Sequence, residues 1–250
     1  VTLTEVLALA GRAWSRLCLY PGGMVLVLLG WHWWRSTAKP EPWWLVVFPW
    51  LGVALLPLPG AAQLERNADL IVVFGLCEMG LVGTVLQASN HPDRTERLGG
   101  ARRLAATLNG YPLLALGAVL LGLATTTLRM DRWLAPEDPW RMALYLAGSL
   151  ALSLALPALL GLGVFAAKEP IWPTNALRAR VLGLLGIASV PWINWLGEWP
   201  WLQPLPPLLI AGWLYGFHRL SRGSARWWAT AALLIAALGM AGAVLSVGLR

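Results

Sequence analysis

A chain of 250 residues that is 58% hydrophobic and only 12% charged falls far below the roughly 25% charge of a typical soluble domain. So few charges cannot cover that much apolar surface in water, which excludes an ordinary soluble enzyme and predicts a polytopic membrane protein. The net charge of +7 is explained by cationic residues gathered in cytoplasmic loops and near anionic lipid, not by nucleic acid.

Residues 1–16 have two readings, an interfacial amphipathic helix or an extension of the first span. A spanning helix needs about 20 apolar residues. Candidates follow near 17–34, 43–62, 68–88, 104–127, 142–166, 181–197, 205–218 and 227–249. The expected fold class is therefore all-α, a transmembrane helical bundle of about eight spans, with residues 1–250 forming one membrane domain. The sixth and seventh candidates are short and interrupted by Pro191, Pro200, Pro204, Pro206 and Pro207. The loops after the odd-numbered spans carry 12 Lys and Arg against 7 on the other side, together the 19 of the chain. By the positive-inside bias the first side is cytoplasmic and both termini face outward. No basic segment followed by a small-residue cleavage site opens the chain, so no secretory signal is read.

The 17 tryptophans gather at expected span ends: Trp31, Trp33 and Trp34, Trp43 and Trp44, Trp192, Trp195, Trp199 and Trp201, and Trp227 and Trp228. Indole rings favour the headgroup level. A platform for a pigment, a quinone or a carbohydrate is the competing reading.

Cys18 and Cys77 lie in apolar stretches without a CxxC, and His32, His91 and His218 are far apart. A thiolate-held haem or iron–sulfur cluster and a zinc site are both unexpected. GxSxG, Walker, GxGxxG and HExxH patterns are absent, so catalytic and metal-binding residues are expected to be none. What stands out is Glu78, midway through the third candidate span. An intramembrane carboxylate faces protein, pairs, or is protonated. It reads either as a proton or cation relay or as a protonated carboxyl bonded to a neighbouring helix.

Residues 96–103 read as a basic loop in which Gly99, Gly100 and Ala101 permit close backbone approach. Arg102 fits a lipid-side anchor; Arg103 is the candidate for a buried role. Asn109, Tyr111 and Pro112 form a polar patch where proline is expected to kink the fourth span. Such a patch lines a cavity or serves packing alone. Lys168 and Glu169, in "FAAKEPIWPTN", mark either irregular backbone against protein or water, or a plain surface turn.

Gly100, Ala101 and Arg103, followed by Tyr111 or Pro112 and a Leu-rich span, resemble the membrane subunit that joins the two arms of respiratory complex I (the NADH dehydrogenase subunit 1 family). They are similar also to its counterpart in group 4 membrane-bound [NiFe] hydrogenases and formate hydrogenlyases. "PWWLVVFPWLGVALLPL" and "ADLIVVFGLCEMG" resemble that family's second and third spans, so the likeness covers about residues 42–124. It implies a non-catalytic anchor subunit in a bacterial or archaeal cytoplasmic membrane, possessing no cofactor of its own. Implied partners are hydrophilic hydrogenase-like subunits with iron–sulfur clusters, and [NiFe] or quinone chemistry, plus antiporter-like membrane subunits. Docking candidates are Gly99, Gly100, Arg103, Lys168 and Glu169; ion-relay candidates are Glu78, Asn109 and Tyr111. The departures are specific. The family's glutamate beside the tyrosine or proline is missing, Leu104 stands where an acidic residue follows the arginine, and the first cytoplasmic loop is reduced to "RSTAKPEP". The alternative is a stand-alone permease or a small integral membrane enzyme.

Overall fold

The computed structural model describes residues 2–35, 42–61, 69–165, 175–197 and 199–220. Among these, the chain is all helical: α1 (Leu3–Cys18), α2 (Gly22–Arg35), α3 (Trp44–Leu55), α4 (Leu70–Ser89), α5 (Arg94–Leu108), α6 (Tyr111–Thr125), α7 (Pro139–Leu159), α8 (Asn175–Trp195) and α9 (Leu205–Leu220). Short 3₁₀ turns lie at Met130–Arg132, Gly163–Phe165 and Pro200–Leu202. Among the described residues, extended pairing is confined to an isolated bridge between Asp69 and Arg129.

Five stretches of the described chain are long and apolar enough to cross a bilayer: Thr4–Trp31, Leu70–Ser89, Arg94–Thr125, Pro139–Leu159 and Asn175–Trp195. At 1.5 Å per residue the 20 residues of α4 reach about 30 Å, the thickness of a hydrocarbon core. The second expected span is shorter than read, because α3 has 12 residues and closes at Leu55. The seventh corresponds to α9, with 16 residues. The eighth, 227–249, lies outside the described residues, so the structure supports several spans without reaching the expected count.

Helix ends follow local chemistry. Asp69 caps α4, its side chain accepting from the Ile71 amide at 2.8 Å, and Pro139 opens α7 at a position where no backbone donor is needed. Pro191 does not interrupt its span: α8 runs from Asn175 through to Trp195. The core is made by α3, α4, α6, α7 and α8, packed around Val53, Val73, Cys77, Leu121, Leu152, Leu156 and Leu184. The helices approach closely where glycine allows it. A Cβ on Gly183 of α8 would lie 2.3 Å from the Cys77 sulfur of α4. In a bilayer, such contact replaces the hydrophobic drive that water supplies.

One end of the bundle is closed by the chain between α6 and α7. The Leu70 amide donates to the Leu128 carbonyl at 3.1 Å, and the Asn194 side chain donates to the Met130 carbonyl at 3.3 Å. Trp133, on the same segment, is fully buried. The Tyr145 hydroxyl lies 3.0 Å from the Trp133 carbonyl and 2.6 Å from the Pro191 carbonyl. Its one proton serves one of them at a time. The starts of α4 and α7 and the ends of α6 and α8 thus share one side.

Candidate functional site

At the other end of α7, four helices bring their polar groups together. Glu78 lies in α4, Arg180 in the second turn of α8, Tyr111 is the first residue of α6, and Leu159 closes α7. The Arg180 guanidinium donates through Nε to Glu78 Oε1 at 3.0 Å and through Nη2 to both carboxylate oxygens, at 2.8 and 3.1 Å. Its Nη1 donates to the Leu159 carbonyl at 2.7 Å. The Tyr111 hydroxyl donates to Glu78 Oε2 at 2.9 Å. Glu78 is 7% exposed and Arg180 3%.

The arrangement is electrostatically consistent. Arg180 sits on a last-turn carbonyl of α7, the negative end of that helix, and Glu78 lies by the first residue of α6, the positive end. Every hydrogen bond named for the carboxylate is one it accepts, as suits an ionised acid forked by arginine. Glu78 is thus bonded to two neighbouring helices, to Tyr111 of α6 and to Arg180 of α8. The sequence alone places Arg180 among the cytoplasmic loop cations, with the sixth span starting one residue later. It belongs instead to α8, and it is the partner that the sequence reading misses. Its signal is the run of small and apolar residues on both sides, Ala176, Leu177, Ala179, Val181 and Leu182, which makes a helix that swallows the charge.

The segment expected as a loop, 96–103, is a helix. Asp93 caps α5, accepting from the Thr95 amide at 2.9 Å and from its hydroxyl at 2.8 Å. Those two bonds hold the Asp93 carboxyl below its ordinary range. The faces of α5 differ. Gly99, Gly100 and Thr107 are buried and Arg103 is half-buried; Arg94, Arg97, Leu98 and Arg102 are exposed. A Cβ on Gly100 would lie 2.7 Å from the Ala88 Cβ of α4. Gly100 therefore serves contact with α4 within this chain, and Arg103 turns inward, close enough to Arg180 for their charges to interact.

Pro112 does not kink a continuous span. It stands in the first turn of α6, after a break at Asn109–Gly110 that ends α5. Tyr111 joins the buried cluster and stacks edge-on against Phe74, with ring centroids 5.9 Å apart. Asn109 stays outside it, exposed, its amide donating to the Ala105 carbonyl of its own helix at 3.2 Å. Lys168 and Glu169 lie outside the described residues. Among the described residues, no three His, Cys, Asp or Glu side chains converge on a point that would hold a metal ion.

Several tryptophans project outward as anchors would. Trp31, Trp43, Trp44, Trp195, Trp199 and Trp201 are exposed. Trp192 instead turns inward, its indole donating to the Ser153 hydroxyl at 3.1 Å. Trp33, Trp34, Trp227 and Trp228 lie where side chains are not described.

Fold and cluster together define an all-helical protein with several helices of membrane-spanning length, stitched by a buried arginine–glutamate–tyrosine group. Set against known proteins, the chain matches no family model and no curated protein.

Proposed function

We propose that this chain is a non-catalytic membrane anchor, which seats a hydrophilic redox partner on α5 at the cytoplasmic face of a bacterial or archaeal membrane. The partner class, a complex-I-like or group 4 hydrogenase-like arm carrying iron–sulfur clusters, comes from the resemblance over residues 42–124; antiporter-like subunits would be membrane neighbours. The observation that carries the reading is the division of α5 into two faces. Its inner face is given to α4 and to the buried cluster. Its outer face offers Arg94, Arg97 and Arg102 to whatever lies above, and a basic rim of this kind selects acidic partners and steers their approach. Tyr111 begins only three residues beyond the end of α5, so the seat is tied to the Glu78–Arg180 pair. In this reading the pair is a lock under the seat, and proton or sodium translocation, where the complex performs it, does not run on Glu78.

Affinity purification from native membranes tests this. Reversing the outer charges, Arg94→Glu with Arg102→Glu, should abolish co-purification of the hydrophilic partner at unchanged yield of this chain. A wild-type chain that purifies alone would instead favour a stand-alone membrane protein.

A further inference from the structure

The first helix is built unlike the rest. Val6, Ala10 and Trp14 follow one another at i, i+4 and i+8, flanked by Leu7, and form an apolar stripe; Thr4, Glu5, Arg12, Ser15 and Arg16 take the opposite arc. The bundle holds only the end of the polar arc, at Arg16. Arg16, at the last turn, is buried and donates through Nε to the Ala54 carbonyl at 2.7 Å and through Nη2 to the Leu56 carbonyl. These are carbonyls at the end of α3, which attract a cation. The apolar stripe is left outside: Leu7 is 62% exposed, Trp14 68%, and every described side chain from Thr4 to Arg12 is exposed.

Length and composition alone would fuse α1 and α2 into one span, Thr4–Trp31. The backbone separates them at Leu19–Pro21. The joint is tight: a Cβ on Gly22 would lie 2.5 Å from the Leu17 carbonyl oxygen. It is also pinned, since the Trp50 indole donates to the carbonyls of Leu17 and Gly22, at 3.0 and 3.1 Å. Beyond the joint, exposed apolar side chains run on through Leu19, Met24, Leu26 and Val27, the surface that α2 would give to lipid in a bilayer.

We propose that α1 is an interfacial helix, lying at the boundary of headgroups and acyl chains with Val6, Leu7, Ala10 and Trp14 in the lipid and Arg12 among the headgroups. A helix of 16 residues touching its bundle only near one end is marginal in water and needs its apolar stripe covered. Lipid is the cover that continues from α2 without interruption, and the cation on the far arc matches the headgroup layer.

The test uses the full chain with Cys18 and Cys77 replaced by Ala, reconstituted in phosphatidylcholine–phosphatidylglycerol vesicles. Nitroxide labels are placed singly at Glu5, Leu7, Ala10, Arg12 and Trp14, and depth is read from collisions with oxygen and with a water-soluble nickel chelate. The expected result is one common depth, about 5–10 Å below the headgroups, for positions 7, 10 and 14, with positions 5 and 12 open to the chelate. A depth that climbs steadily by about 1.5 Å per residue would make α1 part of a span and overturn the proposal. So would an apolar stripe shielded from both reagents, covered by a partner or a second copy, or one freely open to the chelate. An unlabelled check is Leu7→Glu with Trp14→Glu. It should strip amide-exchange protection from α1 in vesicles and leave α4 to α8 protected; protection equal to the parent's would contradict the assignment.

Discussion

Taking away the Glu78 carboxylate alone would leave the Arg180 guanidinium buried without its counter-charge. Losing one partner of a buried pair costs about 3–5 kcal/mol, whereas replacing both with apolar groups is often neutral or better. Glu78→Leu and Arg180→Leu should each destabilise the protein by that order in reversible unfolding from mixed micelles, and the double variant should recover most of it. Additive losses would mean that the two residues act apart. Glu78→Gln is also expected to be costly, since an amide cannot balance the arginine. Tyr111→Phe should cost less, about 1.5–3 kcal/mol for one hydrogen bond to a charged acceptor. Glu78 is legible in the sequence because a lone carboxylate in an apolar run is conspicuous. Arg180 is not, because an arginine five residues into a helix looks the same in one dimension as an arginine just before it. The pair spans 102 residues of chain, and no local pattern records such a distance.

At the scale of elements, α5 is where the reading of the sequence and the structure part. Two adjacent glycines and low apolar content suggest a loop, since glycine disfavours helix. Contact with α4 overrides that propensity: the missing side chain at Gly100 lets the two helices meet. Asp93 has the composition of a cap, a signal that goes unused once the segment after it is taken for loop. Gly100→Val should therefore force α5 off α4, at about 1–3 kcal/mol for overpacking, and raise amide exchange along α5 first. The cap gives a pH dependence. The folded Asp93 carboxyl lies below its unfolded value, so its support is complete above the unfolded value, about pH 4, and is lost as pH falls through the folded one. Protection of the first α5 amides should decline over that acidic range in the parent, and already be reduced at neutral pH in Asp93→Ala. An unchanged profile in the variant would remove the cap from the account. Helix α4 is legible within a residue or two at each end, and the bodies of α7 and α8 with it, because each is a long apolar run. The start of α8 is placed late by sequence alone, since polar residues at a helix end look like loop until the neighbouring helices are known. That of α6 is placed early, since the end of α5 reads as part of the same apolar run.

For the whole molecule, orientation rests on cationic asymmetry. Arg180 and Arg16 both turn out to be buried, one from each side of the count, and the bias keeps its sign. The side holding Ser89 and α5 is expected to be cytoplasmic, and the side closed by residues 126–138 external. Single cysteines at Ser89 and Thr126 should label from opposite faces of oriented vesicles; labelling of both from one face would break the assignment of α4 and α6 as spans. The membrane character of the chain is legible from composition. The proposed function rests on a resemblance in apolar spans and in a few residues around Arg103, while the family's carboxylates are missing.

The claim that α5 seats a redox partner is tested most directly by the material that accompanies the tagged full-length chain out of its native membrane in mild detergent. Electron paramagnetic resonance after reduction should show an iron–sulfur signal in proportion to the chain, carried by a hydrophilic subunit, and lost together with that subunit in the Arg94→Glu, Arg102→Glu variant. An iron-free, monodisperse preparation of this chain alone, obtained under conditions that keep other membrane complexes intact, would contradict the account.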